Sequence, residues 1–297
     1  MSDFWSGWVI VIALANILGC VWLIWWASRP KKGEAAKGDV TGHTWDDDLQ
    51  ELNNPMPRWW LWLFYITIVF GLAYIIIYPG FGSYQGTAGW TQTNQYEAEM
   101  KTASDEYGPI FAGYAKQNAD QLVNNKSAMD SGRRLFLTYC STCHGSDARG
   151  SQGYPNLADK DWLYGGNPDQ IKSSIMDGRL QGVGLMPGFA HLGKDGVDAV
   201  TAYVMSLSGR KADSAKVAAG KTTFDSQCVA CHGADAKGNI HIGAPNLTDN
   251  IWLYGSTKGH IKLSIEKGRD GVMPAHREFL GEDKVHLLSA YIYSLSK

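Results

Sequence analysis

The stretch Cys140-Ser-Thr-Cys-His-Gly145 decides how this sequence is interpreted, because it recurs 88 residues later as Cys228-Val-Ala-Cys-His-Gly233. The residues after both stretches also correspond, in the same order and at offsets between 87 and 90. The corresponding segments are Pro155-Asn-Leu157 and Pro245-Asn-Leu247, Trp162-Leu-Tyr-Gly165 and Trp252-Leu-Tyr-Gly255, Gly178-Arg179 and Gly268-Arg269, and Met186-Pro187 and Met273-Pro274. An internal repeat of this kind indicates two copies of one structural unit. We therefore predict two tandem domains, at residues 125–209 and 212–297.

Each repeat opens with a short segment that ends in the cysteine motif and closes with an amphipathic one. In both closing segments apolar residues fall at offsets 0, 3, 6, 7 and 10, which places them along one face of a helix. These residues are Val197, Val200, Tyr203, Val204 and Leu207 in the first repeat, and Val285, Leu288, Tyr291, Ile292 and Leu295 in the second. The predicted domains are all-α. A domain of about 80 residues has little core of its own and commonly needs a metal or cofactor to stabilise it.

The cysteine motif supplies that cofactor, because Cys-x-x-Cys-His is the attachment signature of c-type haem. Two thiols one helical turn apart can form thioethers with the two vinyl groups of one porphyrin, and the adjacent histidine can ligate the iron. We predict two covalent haem c groups. The first is held by Cys140, Cys143 and the iron ligand His144, and the second by Cys228, Cys231 and the iron ligand His232.

Two other readings of the four cysteines remain open. They could bind one structural zinc as thiolates, but the histidine after each pair would then be unexplained. A thioredoxin-like redox pair would require a strand-rich context, which the sequence does not show.

The sixth iron ligand is predicted from the methionines. Low-spin electron carriers have both axial positions filled, and a His/Met pair raises the potential. Of the eight methionines, only Met186 and Met273 correspond between the repeats, and we predict that these two are the axial ligands. Histidines without a counterpart are expected to be surface or loop residues, or else alternative ligands. They are His191, His241, His260, His276 and His286.

Other repeated residues are candidates for supporting roles around the haems. The carbonyls of Pro155 and Pro245 could accept a hydrogen bond from the ligating imidazoles, as a proline does in class I cytochromes c, or the prolines could simply start a turn. Arg179 and Arg269 could neutralise haem propionates or be solvated. Four aromatic residues are expected to line the pockets: Trp162, Tyr164, Trp252 and Tyr254.

Two apolar runs precede the repeats, at residues 8–27 and 59–78. Each has about 20 residues, enough for a helix to cross the roughly 30 Å hydrocarbon layer, and tryptophans crowd their ends. A cleaved signal peptide would instead need a basic start and a shorter apolar core. We therefore predict a membrane anchor over residues 1–80 with two transmembrane helices, followed by a linker or partner-contacting segment over 81–124.

The orientation follows from the basic residues. Lysines and arginines lie in the loop at residues 28–58, and none occurs before the first run or between the second run and Lys101. The positive-inside rule then places the loop in the cytoplasm. We predict a protein of the cell inner membrane whose N-terminus and haem domains are periplasmic.

Composition excludes two function classes. The net charge is −2 and the pI is near 6.4, so the basic footprint of a nucleic-acid-binding protein is missing. The two apolar runs contain no histidine, whereas haem–copper oxygen reduction needs several histidines within the membrane. The chain is therefore expected to be an electron-transfer protein and not an enzyme by itself.

The segment from His43 to Trp60, His-Thr-Trp-Asp-Asp-Asp-Leu-Gln-Glu-Leu-Asn-Asn-Pro-Met-Pro-Arg-Trp-Trp, together with the haem repeats, resembles the dihaem subunit (subunit III) of cbb3-type cytochrome c oxidases. The resemblance implies a place in a proton-pumping oxidoreductase complex. A soluble or membrane-bound cytochrome c would donate electrons, which then pass to a monohaem cytochrome c subunit and to the haem–copper catalytic subunit. It also implies exchanged methionines, with Met186 ligating the iron of His232 and Met273 that of His144; spacing alone leaves this open.

Three alternatives accompany this interpretation. The chain could be a membrane-tethered electron shuttle, the cytochrome subunit of a periplasmic dehydrogenase, or a redox or ligand sensor in which one haem loses its methionine. Two membrane helices and the segment at 43–60 favour a fixed place in a complex, because a simple tether needs only one helix.

Overall fold

The computed structural model describes residues 1–179 and 184–297, and this part of the chain is mostly helical. Its helices are α1 (Asp3–Ala27), α2 (Arg58–Ile77), α3 (Gln92–Ala115), α4 (Ala119–Val123), α5 (Lys126–Tyr139), α6 (Ser141–His144), α7 (Pro168–Asp177), α8 (Gly193–Leu207), α9 (Ser214–Gln227), α10 (Val229–His232), α11 (Lys258–Lys267) and α12 (Arg277–Leu295), with a 3₁₀ turn at Ala190–Leu192. Two compact units result, Met1–Asp105 and Glu106–Lys297. The predicted all-α class therefore holds in outline.

The first unit contains the two apolar helices. α1 has 25 residues and α2 has 20, and both are long and apolar enough to cross a membrane by length and composition. Their boundaries lie close to the predicted 8–27 and 59–78, although α1 begins earlier, at Asp3. Few of their side chains are fully buried: Ile24 is buried on α1, and α2 has no fully buried residue. The two helices contact each other within this unit.

The loop between these helices contains a β-hairpin that the sequence analysis did not predict. Strands β1 (Val40–Trp45) and β2 (Leu49–Leu52) pair antiparallel, with Trp45 opposite Leu49. Asp46 and Asp47 make the turn with positive φ values of 48° and 69°, the backbone that a tight hairpin needs. Threonine and tryptophan in β1 favour an extended strand, and the short acidic turn reverses the chain.

The second unit contains two helical cores. The first helix of each core begins at a capping side chain. Asn125 caps α5 through the amide of Ala128 at 3.2 Å, and Asp213 caps α9 through the amides of Ala215 and Lys216. Such caps satisfy amides that have no partner inside the helix. The caps fix the start of both helices that lead into the cysteine motifs.

The first core surrounds the Cys140 motif, but its closing helix comes from the second repeat. α5 and α7 pack against α12, and the helix α8 of the first repeat takes no part in this core. The buried side chains of this core include Phe136, Ile171, Ile175, Val285, Leu288 and Ile292.

The second core has the reciprocal arrangement. Here α9 and α11 of the second repeat pack against α8 of the first. Its buried side chains include Val197, Val200, Val204, Phe224, Ile261 and Ile265. The predicted boundaries at 125–209 and 212–297 describe the sequence repeat, and the packing crosses them in both directions.

A short connection explains the exchange. Only residues 208–213 join α8 to α9, and helices joined by so few residues usually pack side by side. The contact is close because Gly220 of α9 lies against the backbone of Ala199. The corresponding Gly132 of α5 lies against Tyr291 of α12, where an added Cβ would be 2.8 Å from the tyrosine Cβ. Because the apolar face of α8 already packs against α9, α12 is the closing helix that packs against α5.

The end of the segment expected to be a linker takes part in the first core's surroundings. Leu122 of α4 is fully buried and clusters with Tyr114, Leu287 and Ala290. Phe111, Tyr114, Ala119 and Leu122 therefore pack with α12, at the end of the segment expected to be a linker or a partner contact. Tyr107, Ile110, Phe111 and Tyr114 fall at offsets 0, 3, 4 and 7, a period typical of the helical face at the end of α3.

Leu288→Ala tests the exchange. Removing a fully buried leucine side chain should cost about 2–5 kcal/mol, because a cavity remains in the first core. We expect faster amide hydrogen exchange in α5 and α7 and little change in α9 and α11, measured by mass spectrometry on the intact chain. Val200→Ala is the matched change in α8 and should produce the opposite pattern. Faster exchange in α9 and α11 for Leu288→Ala would contradict the exchanged cores.

Candidate functional site

The two cysteine motifs have the same backbone geometry. In each, a long helix ends just before the first cysteine and a single helical turn follows, α6 after Cys140 and α10 after Cys228. The amides of His144 and His232 each donate to the carbonyl of the first cysteine of their motif at 3.0 Å. This turn places both thiols of a motif on one side, and all the cysteines are free.

Both motif histidines are buried, each 8% exposed, and both are oriented by a proline carbonyl. Nδ1 of His144 donates to the carbonyl of Pro155 at 3.0 Å, and Nδ1 of His232 to that of Pro245 at 3.1 Å. Because Nδ1 carries the proton in this bond, Nε2 carries the lone pair that a metal needs. The structure thus supports the carbonyl-acceptor role of the prolines over a turn-starting role alone.

Burial keeps these imidazoles neutral. It lowers the pKa of His144 and of His232, and this effect outweighs the hydrogen bond to the proline carbonyl, which acts in the opposite direction. For His144, nearby His276 lowers the pKa further. A neutral imidazole is the form that ligates a metal.

A glycine leaves room for each proline carbonyl. The amide of Gly150 donates to the carbonyl of His144 at 2.7 Å, and the amide of Gly238 to that of His232 at 2.9 Å. Both glycines have positive φ, 67° and 82°, and an added Cβ would collide with the carbonyl oxygen of the proline that orients the histidine. Only glycine fits between the histidine backbone and that carbonyl.

The first cysteine of each motif is partly buried. Burial, with a smaller contribution from Cys143, raises the pKa of Cys140 to about 11, and burial likewise raises the pKa of Cys228. Reactive redox pairs have lowered thiol pKa values, so this environment and its helical context argue against the thioredoxin-like alternative.

The zinc alternative is also disfavoured by the packing. Cys140 lies against the first core and Cys228 against the second. Within residues 1–179 and 184–297, no group of three or more histidine, cysteine or acidic side chains is arranged to hold a metal ion.

Each of the two predicted methionine ligands lies in the core of the other repeat. Met273 packs against the first core, as Cys140 does, and Met186 packs against the second, as Cys228 does. Paired backbone hydrogen bonds hold both loops. Met273 and Arg179 exchange two bonds of 2.8 Å, and Met186 and Arg269 exchange two of 2.9 Å.

The two repeated arginines stack on tyrosines and are partly buried. The Arg179 guanidinium lies 4.1 Å from the ring centroid of Tyr164, and that of Arg269 lies 4.3 Å from Tyr254. Each also donates to a serine, Arg179 to Ser174 at 2.6 Å and Arg269 to Ser264 at 2.9 Å. These contacts hold the guanidinium groups in fixed positions.

Two buried donors fit an acidic group that a haem would bring. Within the described ranges 1–179 and 184–297, neither Nε of Arg179 nor Nε1 of Trp252 has a hydrogen-bond partner. Buried donors are normally satisfied. Haem propionates are acceptors of the right charge for an arginine. The free thiols, the neutral imidazoles and these donors together fit the predicted haems.

The histidines without counterparts fall into different environments. His191 and His241 are exposed, as expected, whereas His260 is partly buried. His286 is half-buried on α12 and hydrogen-bonds to the carbonyl of Gln117 at 2.8 Å.

His276 departs most from the expectation of a surface or loop residue. It is 7% exposed, and its Nδ1 is buried with no partner in the part of the chain that the structure describes. The sequence did contain a signal, because His276 follows Met273 by three residues, just as Phe189 follows Met186. An apolar residue at the equivalent position of the other repeat indicates a buried site.

Two family models match the chain. The model described as the N-terminal domain of cytochrome oxidase-cbb3, FixP, matches residues 37–85. The model described as cytochrome C oxidase, cbb3-type, subunit III matches twice, at residues 127–204 and 215–292.

Several curated proteins are similar over nearly their full length. The cbb3-type cytochrome c oxidase subunit CcoP of Rubrivivax gelatinosus is 45% identical, over 100% of this chain and 98% of that protein. The subunit FixP of Sinorhizobium medicae is 36% identical, over 91% and 98%. The subunit CcoP of Rhodobacter capsulatus is 38% identical, over 86% and 95%.

Gly150→Ala tests whether the glycine positions the proline carbonyl. A left-handed backbone costs a non-glycine residue about 1–2 kcal/mol, and at this position the Cβ also displaces the acceptor of His144. Gly193→Ala is the matched control, because Gly193 has the same φ of 67° but open space around its Cβ position. We expect a clearly larger drop in the thermal unfolding midpoint for Gly150→Ala. Equal drops would show that the carbonyl is not held by the glycine.

Proposed function

The chain belongs to the subunit III family of cbb3-type cytochrome c oxidases, and on this premise we propose that it is the dihaem c electron-transfer subunit of such an oxidase. The observation that carries the proposal is the duplicated site. In both copies a buried histidine follows two free thiols and donates Nδ1–H to a proline carbonyl. Two sites of identical construction support two haem c groups in one chain.

The residues of this chain would attach and orient each haem. Cys140 and Cys143 would form the thioethers of the first, with His144 as the axial ligand. Cys228, Cys231 and His232 would do the same for the second. A bound haem supplies a one-electron redox centre that needs no other chemistry from the protein.

The proposal assigns the sixth ligands across the repeats. Met273 would ligate the iron held by His144, and Met186 the iron held by His232. Support comes from the packing of Met273 against the same core as Cys140 and of Met186 against the same core as Cys228, together with the backbone bonds that hold both loops. With both axial positions filled, neither iron offers an open site for oxygen. Oxygen reduction then belongs to other subunits.

The partners follow from the family. A soluble or membrane-bound cytochrome c would donate electrons to this chain. From here they would pass to the monohaem subunit and then to the haem–copper catalytic subunit, where oxygen is reduced and protons are pumped. The match over residues 37–85 supports a fixed place in the oxidase over a free shuttle or a dehydrogenase subunit, because that segment lies outside the haem repeats.

The proposed location is the cell inner membrane, with α1 and α2 in the bilayer. The basic residues of the loop at 28–58 support a cytoplasmic loop and a periplasmic position for the N-terminus and for both haem sites.

Haem content and complex composition test this function. The purified, denatured chain should stain for covalent haem and give an alkaline-pyridine spectrum equivalent to two haem c groups. Replacing both cysteines of one motif should leave one haem, whereas Cys20→Ala, outside the motifs, should leave two. Haem b and copper should co-purify with the chain in mild detergent. A colourless chain, or one with haem c that never co-purifies with haem b and copper, would contradict the proposal.

The ligand assignment predicts which methionine serves which haem. In a chain that retains only the first haem, because Cys228 and Cys231 are replaced by alanine, Met273→Leu should remove the methionine–iron charge-transfer band. In the same chain Met186→Leu should leave that band in place. The reciprocal chain, with Cys140 and Cys143 replaced, should respond to Met186→Leu alone. If the charge-transfer band instead disappeared when the methionine of the same repeat as the haem was replaced, the ligands would not be exchanged.

A further inference from the structure

The two haem sites differ at one position that is structurally equivalent in both. His276 follows Met273 by three residues, and Phe189 follows Met186 by three. The amide of His276 donates to the carbonyl of Ile175 at 3.0 Å, and the amide of Phe189 donates to that of Ile265 at 2.8 Å. The backbone is therefore anchored in the same way in both repeats, while one side chain is a phenyl ring and the other an imidazole.

The imidazole of His276 is buried, and its Nδ1 atom lacks a hydrogen-bond partner in the described part of the chain. The residue is 7% exposed. Its ring packs 5.2 Å from the ring of Phe279, which offers no acceptor in its plane. Leaving a buried polar group unsatisfied destabilises the folded protein. Because phenylalanine occupies the equivalent position of the other repeat, packing alone does not explain a histidine at position 276.

The ring lies in the first haem site. Phe279, its neighbour, also contacts Tyr139, the residue before Cys140, with ring centroids 5.4 Å apart. Met273, on the same loop, packs against the core that contains Cys140. The unused nitrogen therefore belongs to the pocket where the first haem would bind.

We propose that His276 is a positioning residue of the first haem site, which donates a hydrogen bond to an acceptor present only when that site is filled. This inference rests on the proposed function. Two acceptors would be available, the sulfur of an iron-bound Met273 or a haem propionate oxygen. A hydrogen bond to either one reduces the electron density that stabilises the oxidised iron, so it raises the reduction potential. Phe189 gives the second haem no such donor.

The consequence is a difference in potential between two haems whose ligands are otherwise the same. Both sites have two cysteines, a histidine with the same proline acceptor, and a methionine from the other repeat. His276 raises the potential of the first haem above the value that the same site would have with phenylalanine at this position.

Potentiometric titration of single-haem chains tests the proposal. In the chain that retains the first haem, His276→Phe installs the residue of the other repeat. The midpoint potential should fall by an amount equal to about a tenfold change in the ratio of oxidised to reduced haem, about 59 mV for one electron. His276→Asn retains a donor and should keep most of the wild-type potential. His241→Phe, at an exposed histidine, is the control and should change nothing.

The reciprocal substitution makes the test independent of how well His276→Phe folds. In the chain that retains the second haem, Phe189→His should raise the midpoint potential. An unchanged potential in both His276→Phe and Phe189→His would overturn the proposal. It would also be overturned if the wild-type first haem lacked the methionine–iron charge-transfer band and gained it in His276→Phe, because His276 would then be an iron ligand. Neither result would affect the electron-relay function, whereas absence of covalent haem would remove both.

Discussion

The backbone pairing between each methionine loop and the arginine of the other repeat is the constraint on which the haem unit depends. Arg179 bonds to Met273, and Arg269 bonds to Met186, through two amide–carbonyl bonds in each case. Side-chain ion pairs reinforce the exchange, since Lys172 reaches Glu282 on α12 at 2.8 Å. Each cysteine motif therefore has the methionine loop of the other repeat packed against its core. If the proposed ligands are correct, each iron depends on both repeats for its two axial ligands.

Much of this could be predicted from the sequence, because the repeat carries the chemistry. The cysteines, the histidines and the apolar stripes of the closing helices follow from motif and period. The exchange of the cores does not follow from motif or period. Val200 and Leu288 occupy equivalent positions, so either closing helix could cover either cysteine motif. The six-residue connection at 208–213 decides between them, by holding α8 beside α9. Its length is visible in the sequence, but its effect appears only once both helix ends are known.

Other features were missed for local reasons. The hairpin at 40–52 is short, and all its side chains are exposed, so it has no apolar face that would create an alternating pattern. Leu122 is buried by a helix that lies far along the chain, which no local pattern reports. His276 is expected at the surface or in a loop, or else as an alternative ligand, because the other repeat has no histidine at the equivalent position. Its burial follows from the position it shares with Phe189.

A protein that passes electrons between two similar sites needs the same cofactor chemistry in both but a different reduction potential in each. In this chain the two repeats differ at few positions. After the first motif, Gln152 and Gly153 bond to the backbone of the second repeat at 3.0 and 2.9 Å. After the second motif, the loop is two residues longer and closes on itself through Asn239, leaving Ile240 and Ile242 exposed. The repeated residues give the two proposed haem sites the same construction, while loops such as these give each site its own surroundings. Direction of electron flow then depends on the positions where the repeats differ.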